Sequence, residues 1–154
     1  MKALAIAAAA FLACGNAAHG QTARQVMADI RAHGASAEIA NFDRHGWLDD
    51  LLDPVASGNA DWIAVSAALF PGTDAGTTEA LLTALSQALA RNPQTVLQTY
   101  GATSRLPDIC TDRLIEPPPD VDLAFRGAVL KALSDIRDPA LAPARDRCLA
   151  SFNR

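Results

Sequence analysis

The stretch "AGTTEALLTALSQALARN", residues 75–92, decides the fold of this chain. Its apolar positions recur at the helical period and do not alternate as they would in a half-buried strand; they are Leu81, Leu82, Leu85 and Leu89. Thr73 or Asp74 is expected to begin this helix. Asn92 and Pro93 end it and begin the next one, because asparagine caps a helix and proline is tolerated at the first helical position.

The segments on either side repeat this period. The apolar residues that mark further helices are Val26, Met27 and Ile30; Trp47, Leu48, Leu51 and Leu52; Trp62, Val65 and Leu69; Val96, Leu97 and Tyr100; Val121, Phe125, Ala128, Ala132 and Ile136; and Leu141, Cys148, Leu149 and Phe152. The sequence therefore predicts an all-α fold of six to seven short helices. Short connections favour antiparallel hairpins, closed into a bundle or stacked like a short helical repeat.

Capping residues mark where several helices begin. Thr22 with Gln25 forms a capping box, and Asn59, Asp120 and Asp138 are each expected to begin a helix. Two stretches carry no clear helical pattern. Residues 36–46 are short and mixed, and residues 102–120 contain four prolines that prevent a long helix.

The start of the chain has the layout of a secretory signal. Lys2 is followed by an apolar stretch without charges, residues 3–13, and Ala18 and Gly20 are small enough for cleavage before Gln21. The alternative is a lipoprotein in which Cys14 carries the lipid anchor. We expect residues 1–20 to be a cleaved leader and residues 21–154 to form a single all-α domain in the periplasm, or, in the alternative, to be attached to the envelope.

Cleavage would leave an even pair of cysteines, Cys110 and Cys148. An export compartment is oxidising, so the sequence predicts a disulfide between them. Neither cysteine belongs to a C-x-x-C motif, which argues against a redox-active pair.

The charge balance limits the class of partner. The chain carries 13 Lys and Arg against 17 Asp and Glu. An acidic domain lacks the cationic surface that binds nucleic acid or an anionic membrane, so we expect neither. No second apolar stretch is long enough to span a bilayer, and the expected partner is another protein.

An aspartate series is the candidate docking site for a basic partner; its members are Asp43, Asp49, Asp50, Asp53 and Asp61. Asp49 and Asp53 are like charges one helical turn apart, a small cost that a function can offset. An ordinary solvated face is the other interpretation. The spacing of a calcium loop is absent.

Other candidate sites have simpler explanations. Four side chains of the types that bind zinc lie in this part of the sequence: Asp29, His33, Asp43 and His45. No motif fixes their geometry, so we predict no metal site. The turn at residues 71–78, "PGTDAGTT", offers helix N–H groups to an anion or caps them itself.

The two tryptophans, Trp47 and Trp62, either fill the hydrophobic core or anchor an interface with a partner. Neither G-x-S-x-G nor S-x-x-K occurs, so no catalytic residue and no cofactor is predicted.

Residues 57–97, with a tryptophan, the P-G-T-D-A-G turn and an N-P-x-x-V-L ending, resemble a segment of small exported proteobacterial proteins of undetermined function. The later cysteine followed by "IEPPP" also fits. This resemblance implies an exported helical protein and carries no known catalytic residues.

The sequence thus favours an exported binding protein, such as an inhibitor or immunity-type protein for an envelope enzyme, more than an enzyme. A small-ligand or enzymatic domain with a pocket between helices, and a lipid-anchored envelope adaptor, are the alternatives.

Overall fold

A computed structural model describes residues 20–153 of the protein, so the predicted leader up to residue 19, with Cys14, lies outside the described residues. Within residues 20–153 the chain forms helices and no strands. The nine α-helices of this range are α1 (Ala23–His33), α2 (Ala35–His45), α3 (Leu48–Ala56), α4 (Ala60–Leu69), α5 (Ala75–Ala88), α6 (Pro93–Tyr100), α7 (Leu106–Ile109), α8 (Pro119–Ser134) and α9 (Ala142–Phe152). Two 3₁₀ turns accompany them, Phe70–Gly72 and Pro139–Leu141.

The all-α prediction is confirmed, but the predicted number of six to seven helices is too low. Residues 36–45, for which the sequence shows no clear helical pattern, belong to α2, and Gly46 follows the end of that helix. The one-turn helix α7 lies in the proline-containing segment. Gly34 separates α1 from α2 with a φ of 89°, so a single residue ends one helix and precedes the next. None of the helices in residues 20–153 is long and apolar enough to cross a bilayer.

Side-chain caps begin four helices where the sequence predicts them. Each cap accepts backbone N–H groups of the first turn: Thr22 from Gln25, Asn59 from Asp61 and Trp62, Asp74 from Thr77, and Asn92 from Thr95. Such caps stabilise a helix by about 1 kcal/mol each. The prediction for α8 is wrong, because Pro118 takes the cap position and Asp120 lies inside the first turn, where its charge favours the helix dipole.

Helix α4 lies in the middle of the N-terminal half. It contacts α1, α2, α3 and α6, and its buried residues include Ile63, Val65 and Leu69. Its only ionisable residue is Asp61, in the first turn. A helix that is apolar on most sides must be surrounded, and here four other helices surround it.

One buried hydrogen bond satisfies the polar groups between α4 and α6. The hydroxyl groups of Ser66 and Tyr100 lie 2.7 Å apart, and both side chains are buried. Burial raises the pKa of Tyr100, so its hydroxyl stays protonated. Phe70 packs edge-on against the Tyr100 ring, and the Arg105 guanidinium lies 3.9 Å from the centre of the Phe70 ring.

The most extensive helix packing joins elements that are not consecutive, α3 with α5 and α1 with α4. Consecutive pairs such as α1 and α2 or α8 and α9 also contact each other. The buried apolar side chains form one continuous cluster that runs from Val26 to Phe152.

The predicted disulfide between Cys110 and Cys148 is confirmed. It joins the residue after α7 to α9, and the two cysteines are only 1% and 0% exposed. The bond closes a sequence separation of 38 residues. By the chain-entropy argument, the bond stabilises the folded state by roughly 4 kcal/mol, because it restricts the unfolded chain. It also holds in place the segment with the least regular structure.

A close approach of two backbone segments explains why residue 72 is a glycine. A Cβ atom at this position would lie 2.8 Å from the Ala35 Cβ and closer still to the backbone of Ala35 and Ser36. The 3₁₀ turn after α4 therefore packs directly on the start of α2. Gly76, four residues later in the same turn-rich string, has its nearest neighbour at 3.8 Å.

These two glycines form a matched pair for a stability test. Gly72→Ala should lower the free energy of unfolding by about 1–3 kcal/mol, because the methyl group overpacks the contact between α2 and the turn. Gly76→Ala should raise the free energy of unfolding by up to about 1 kcal/mol, because alanine is favoured inside a helix. Urea unfolding followed by circular dichroism measures both, and equal effects of the two substitutions would contradict this account of Gly72.

Candidate functional site

Three exposed aspartates lie on the solvent side of α3. Asp49, Asp50 and Asp53 are exposed, whereas Leu51 and Val55 of the same helix are buried. Asp43, near the end of α2, is also exposed. We call these four aspartates the acidic face. None of them has a cationic group of residues 20–153 within ion-pair distance.

Asp61, the fifth aspartate of the predicted set, has different surroundings. It lies at the start of α4 and lines two adjoining cavities of about 260 and 540 Å³ between the starts of α1 and α4. Arg24 lines both cavities and Arg31 lines the smaller one. Asp61 therefore faces a groove with charges of both signs, and the acidic face does not include it.

The two tryptophans are half-buried and pack against the core. The imidazole of His45 stacks on the Trp47 ring with 4.2 Å between ring centres. Trp62 lines the larger cavity between α1 and α4. Each ring thus contributes to the core and also reaches the surface.

The turn at residues 71–78 caps its own helix. The Asp74 carboxylate accepts the Thr77 N–H at 2.8 Å, and the hydroxyl groups of Thr73 and Thr78 lie 2.6 Å apart. The hydrogen bond from Thr77 lowers the pKa of Asp74 and so favours the anionic side chain at this helix start. The protein's own groups occupy the position at which an anion would have bound.

The residues of the hypothetical zinc site do not assemble. His45 pairs through Nδ1 with the carbonyl of Asn41 at 2.8 Å, and neither His45 nor Asp43 lines the cleft that Asp29 and His33 line. Among residues 20–153, no three His, Cys, Asp or Glu side chains converge in the way a metal site requires.

Asp29 and His33 instead line a cleft between α1 and α2 together with a residue that the sequence did not single out. The cleft has a volume of about 350 Å³, and its lining residues are Asp29, His33, Ala37, Glu38, Asn41 and Arg44. We call it the Glu38 cleft. Glu38 is only 4% exposed, and its Oε1 atom has no hydrogen-bond partner. A buried carboxylate oxygen without a partner is uncommon in native proteins.

The surroundings of Glu38 disfavour its charged form. Burial raises the pKa of this carboxyl above its ordinary value of 4.5, and the charge of Asp29 raises it further. A hydrogen bond with Asn41 and the charge of His33 lower the pKa but do not cancel the first two effects. Glu38 therefore retains a proton to a higher pH in the folded than in the unfolded chain.

A second pair of carboxyls meets near the start of α8. A hydrogen bond with Asp112 raises the pKa of Asp122, with burial and the Asp112 charge acting in the same direction. The Arg126 Nη1 atom lies 3.9 Å from Asp112 Oδ2 and partly offsets this charge. No sequence pattern between these two aspartates predicts that they contact each other.

The sequence did not identify Glu38 as a site residue, because a charged side chain is not expected at a buried position. Glu38 follows the helical spacing of Ile39 and Phe42 on the buried side of α2, where a glutamate is not expected. The only available signal was that a glutamate stands among apolar residues of a short, mixed segment.

Comparisons with known proteins contribute no further site information. No protein-family model matches the chain, and neither a curated protein nor a solved structure gives a significant match. The resemblance of residues 57–97 to exported proteobacterial proteins stays a prediction.

The pH dependence of stability tests the state of Glu38. Because its pKa is raised in the folded chain, the folded state holds this proton more tightly than the unfolded state. Stability that depends on Glu38 is therefore full below about pH 4.5 and is lost as the pH rises through the folded pKa. Glu38→Gln should be more stable than the parent protein at pH 7.5, and this advantage should shrink at pH 4.

Thermal unfolding at both pH values measures the effect, with Glu116→Gln as the control. Glu116 is exposed, and its substitution should leave the difference between the two pH values unchanged. An advantage of Glu38→Gln that is equal at both pH values would contradict the raised pKa.

Proposed function

We propose that this chain is an exported binding protein whose acidic face docks on a cationic surface of another protein of the envelope. An inhibitor or immunity-type protein for an envelope enzyme is the concrete form. The observation that carries the proposal is the set of exposed carboxylates on α3 and α2 without cationic partners in the described chain.

The distribution of ion pairs supports this proposal. All four ion pairs of the described residues lie between Glu79 and Asp146. Residues 20–72 hold seven Asp and Glu against three Arg, and none of these groups forms an ion pair within the described chain. Negative charge is thus uncompensated in one half of the protein, whereas the other half pairs part of its charge internally.

Unpaired surface carboxylates suit recognition of a basic protein. Complementary charge accelerates encounter and rejects partners of the wrong sign, and these effects decline with salt. The cost to this chain is small, since the Asp49 and Asp53 side chains repel each other across one helical turn by only a few tenths of a kcal/mol.

Export of the protein accounts for both the leader-like N-terminus and the buried disulfide. The leader-like residues 1–20 support secretion, and the buried disulfide suits an oxidising compartment. A lipid anchor at Cys14 is the alternative form of the same proposal.

Charge reversal on α3 tests the docking. Asp49→Lys with Asp53→Lys should reduce capture of the partner from a periplasmic extract by about tenfold or more, because attraction becomes repulsion. The melting temperature should fall by only a few degrees at most, since both side chains are exposed, no ion pair is lost, and the helix-dipole effect of Asp49 in the first turn of α3 is about 0.3–1 kcal/mol. The like-charge spacing also persists in the variant.

The matched control is Glu116→Lys with Asp120→Lys, which changes the net charge equally at exposed positions outside α2 and α3. Quantitative mass spectrometry of the captured proteins compares the variants at low and high salt. Equal loss of capture in both double variants would mean that net charge, and not the acidic face, governs binding. Unchanged capture by the α3 variant would remove the proposal.

Intact mass of the exported product tests the compartment. We expect the mass of a chain that begins at Gln21, lowered by two hydrogens for the disulfide between Cys110 and Cys148. A diacylglycerol adduct on a chain beginning at Cys14 would instead assign the lipid-anchored form. A product that begins at Met1, with Cys110 and Cys148 both reduced, would contradict export.

A further inference from the structure

We propose that the Glu38 cleft binds a primary ammonium group, with Glu38 as its buried anchor and Asp29 as the second carboxylate. This inference is independent of the acidic face, because Glu38 is buried and the four aspartates of that face are exposed. The site lies between α1 and α2, and none of its lining residues belongs to the acidic face.

The unpartnered oxygen of Glu38 indicates that a donor is missing. Glu38 lines the cleft, and its Oε1 atom is covered by protein atoms and accepts no hydrogen bond, so a donor in the cleft reaches this oxygen when the side chain turns toward it. An unmade bond at a buried carboxylate is destabilising, so a glutamine or an apolar residue would serve the fold better at this position. A ligand that donates to Oε1 supplies the missing bond.

Asp29 makes the required donor a cation. Its charge acts on Glu38 from the neighbouring helix, and its Oδ2 atom accepts a long hydrogen bond of 3.4 Å from Gln21 Nε2. Two carboxylates that repel each other are both stabilised when a positive group lies between them. An anionic ligand would meet the repulsion of both.

The cations of the chain itself do not fill this role. Arg44 and His33 line the cleft, but both are exposed, and neither forms an ion pair with Glu38 or Asp29 within the described chain. The buried end of the cleft is therefore acidic, and its positive groups lie toward solvent.

The geometry of the acceptors favours an ammonium group over a metal ion. An ammonium group is compact and donates three hydrogen bonds, and three residues that line the cleft, Glu38, Asp29 and Asn41, carry side-chain oxygen acceptors. Calcium requires six to eight oxygen ligands in a closed shell, which two carboxylates do not provide. A cleft of about 350 Å³ accommodates a small amine or the end of a lysine side chain.

Nuclear magnetic resonance titration of the full chain tests the proposal at pH 7.5 and constant ionic strength. Methylammonium chloride should shift the amide signals of residues 37–41 in a saturable way, whereas tetramethylammonium, which has no N–H donor, should not. Glu38→Gln and Asp29→Asn should each weaken methylammonium binding at least about tenfold, since each removes a charge-assisted hydrogen bond. Glu116→Gln should bind like the parent protein.

A second probe identifies the source of the ammonium group. N-acetyl-lysine methylamide presents a lysine side chain, and tighter binding of this probe than of methylammonium would assign the cleft to a lysine of a protein partner. Tighter binding of methylammonium would assign it to a free small amine. Either ranking supports the ammonium site.

Three results would overturn the proposal. The first is an absence of saturable shifts with both amines, and the second is equal binding of tetramethylammonium. The third is binding of Ca²⁺ at lower concentration than any amine, with the same loss in Glu38→Gln. The charge reversal on α3 should leave methylammonium binding intact, so failure of the ammonium site and failure of the acidic face are distinguishable.

Discussion

The burial of α4 is the constraint on which the rest of the N-terminal half depends. This helix has a single ionisable residue, Asp61, and buries side chains toward α1, α2, α3 and α6. Because few of its positions tolerate water, its neighbours must cover it, and the turns around it must allow close approach. Gly72 provides one such approach by bringing the turn after α4 onto the start of α2. The packing of α1 and α2 around this helix then places Asp29 and Glu38 beside the same cleft.

The C-terminal half is held together differently. Prolines interrupt the segment before α8, and the one-turn helix α7 offers little surface for packing. The disulfide from Cys110 to Cys148 fastens this segment to α9, while the Arg113 to Glu79 ion pair and the hydrogen bond from Ser86 Oγ to the Thr111 carbonyl tie it to α5. Leu106 and Ile109 of α7 are fully buried, so the covalent and polar contacts add to apolar packing in fixing this segment.

The helix starts and the all-α class were predictable because they depend on residues close in sequence. The disulfide was predictable because two cysteines follow the predicted cleavage site. Asp74 and Asn92 cap their helices through atoms only three residues away, so the local sequence contains the whole interaction. The start of α8 was misjudged because Pro118 and Pro119 compete with Asp120 for the same turn. The packing of α3 on α5 and the meeting of Asp29 with Glu38 are tertiary contacts, and no local pattern specifies them. A polar residue on the buried side of α2 also weakened the periodicity from which that helix would have been recognised.

Uncompensated negative charge links the acidic face to the Glu38 cleft. At physiological ionic strength the screening length is about 8 Å, so exposed carboxylates act mainly on partners already near the surface. A buried carboxylate is screened far less and acts on whatever enters its cleft. In the two proposals, the exposed aspartates of α3 provide fast and salt-sensitive encounter with a partner, and the Glu38 cleft provides a specific, directional contact with a donor. Both features place the electrostatic cost in residues 20–72, in which no ion pair forms within the described chain, so the two proposed binding surfaces both lie in α1, α2 and α3.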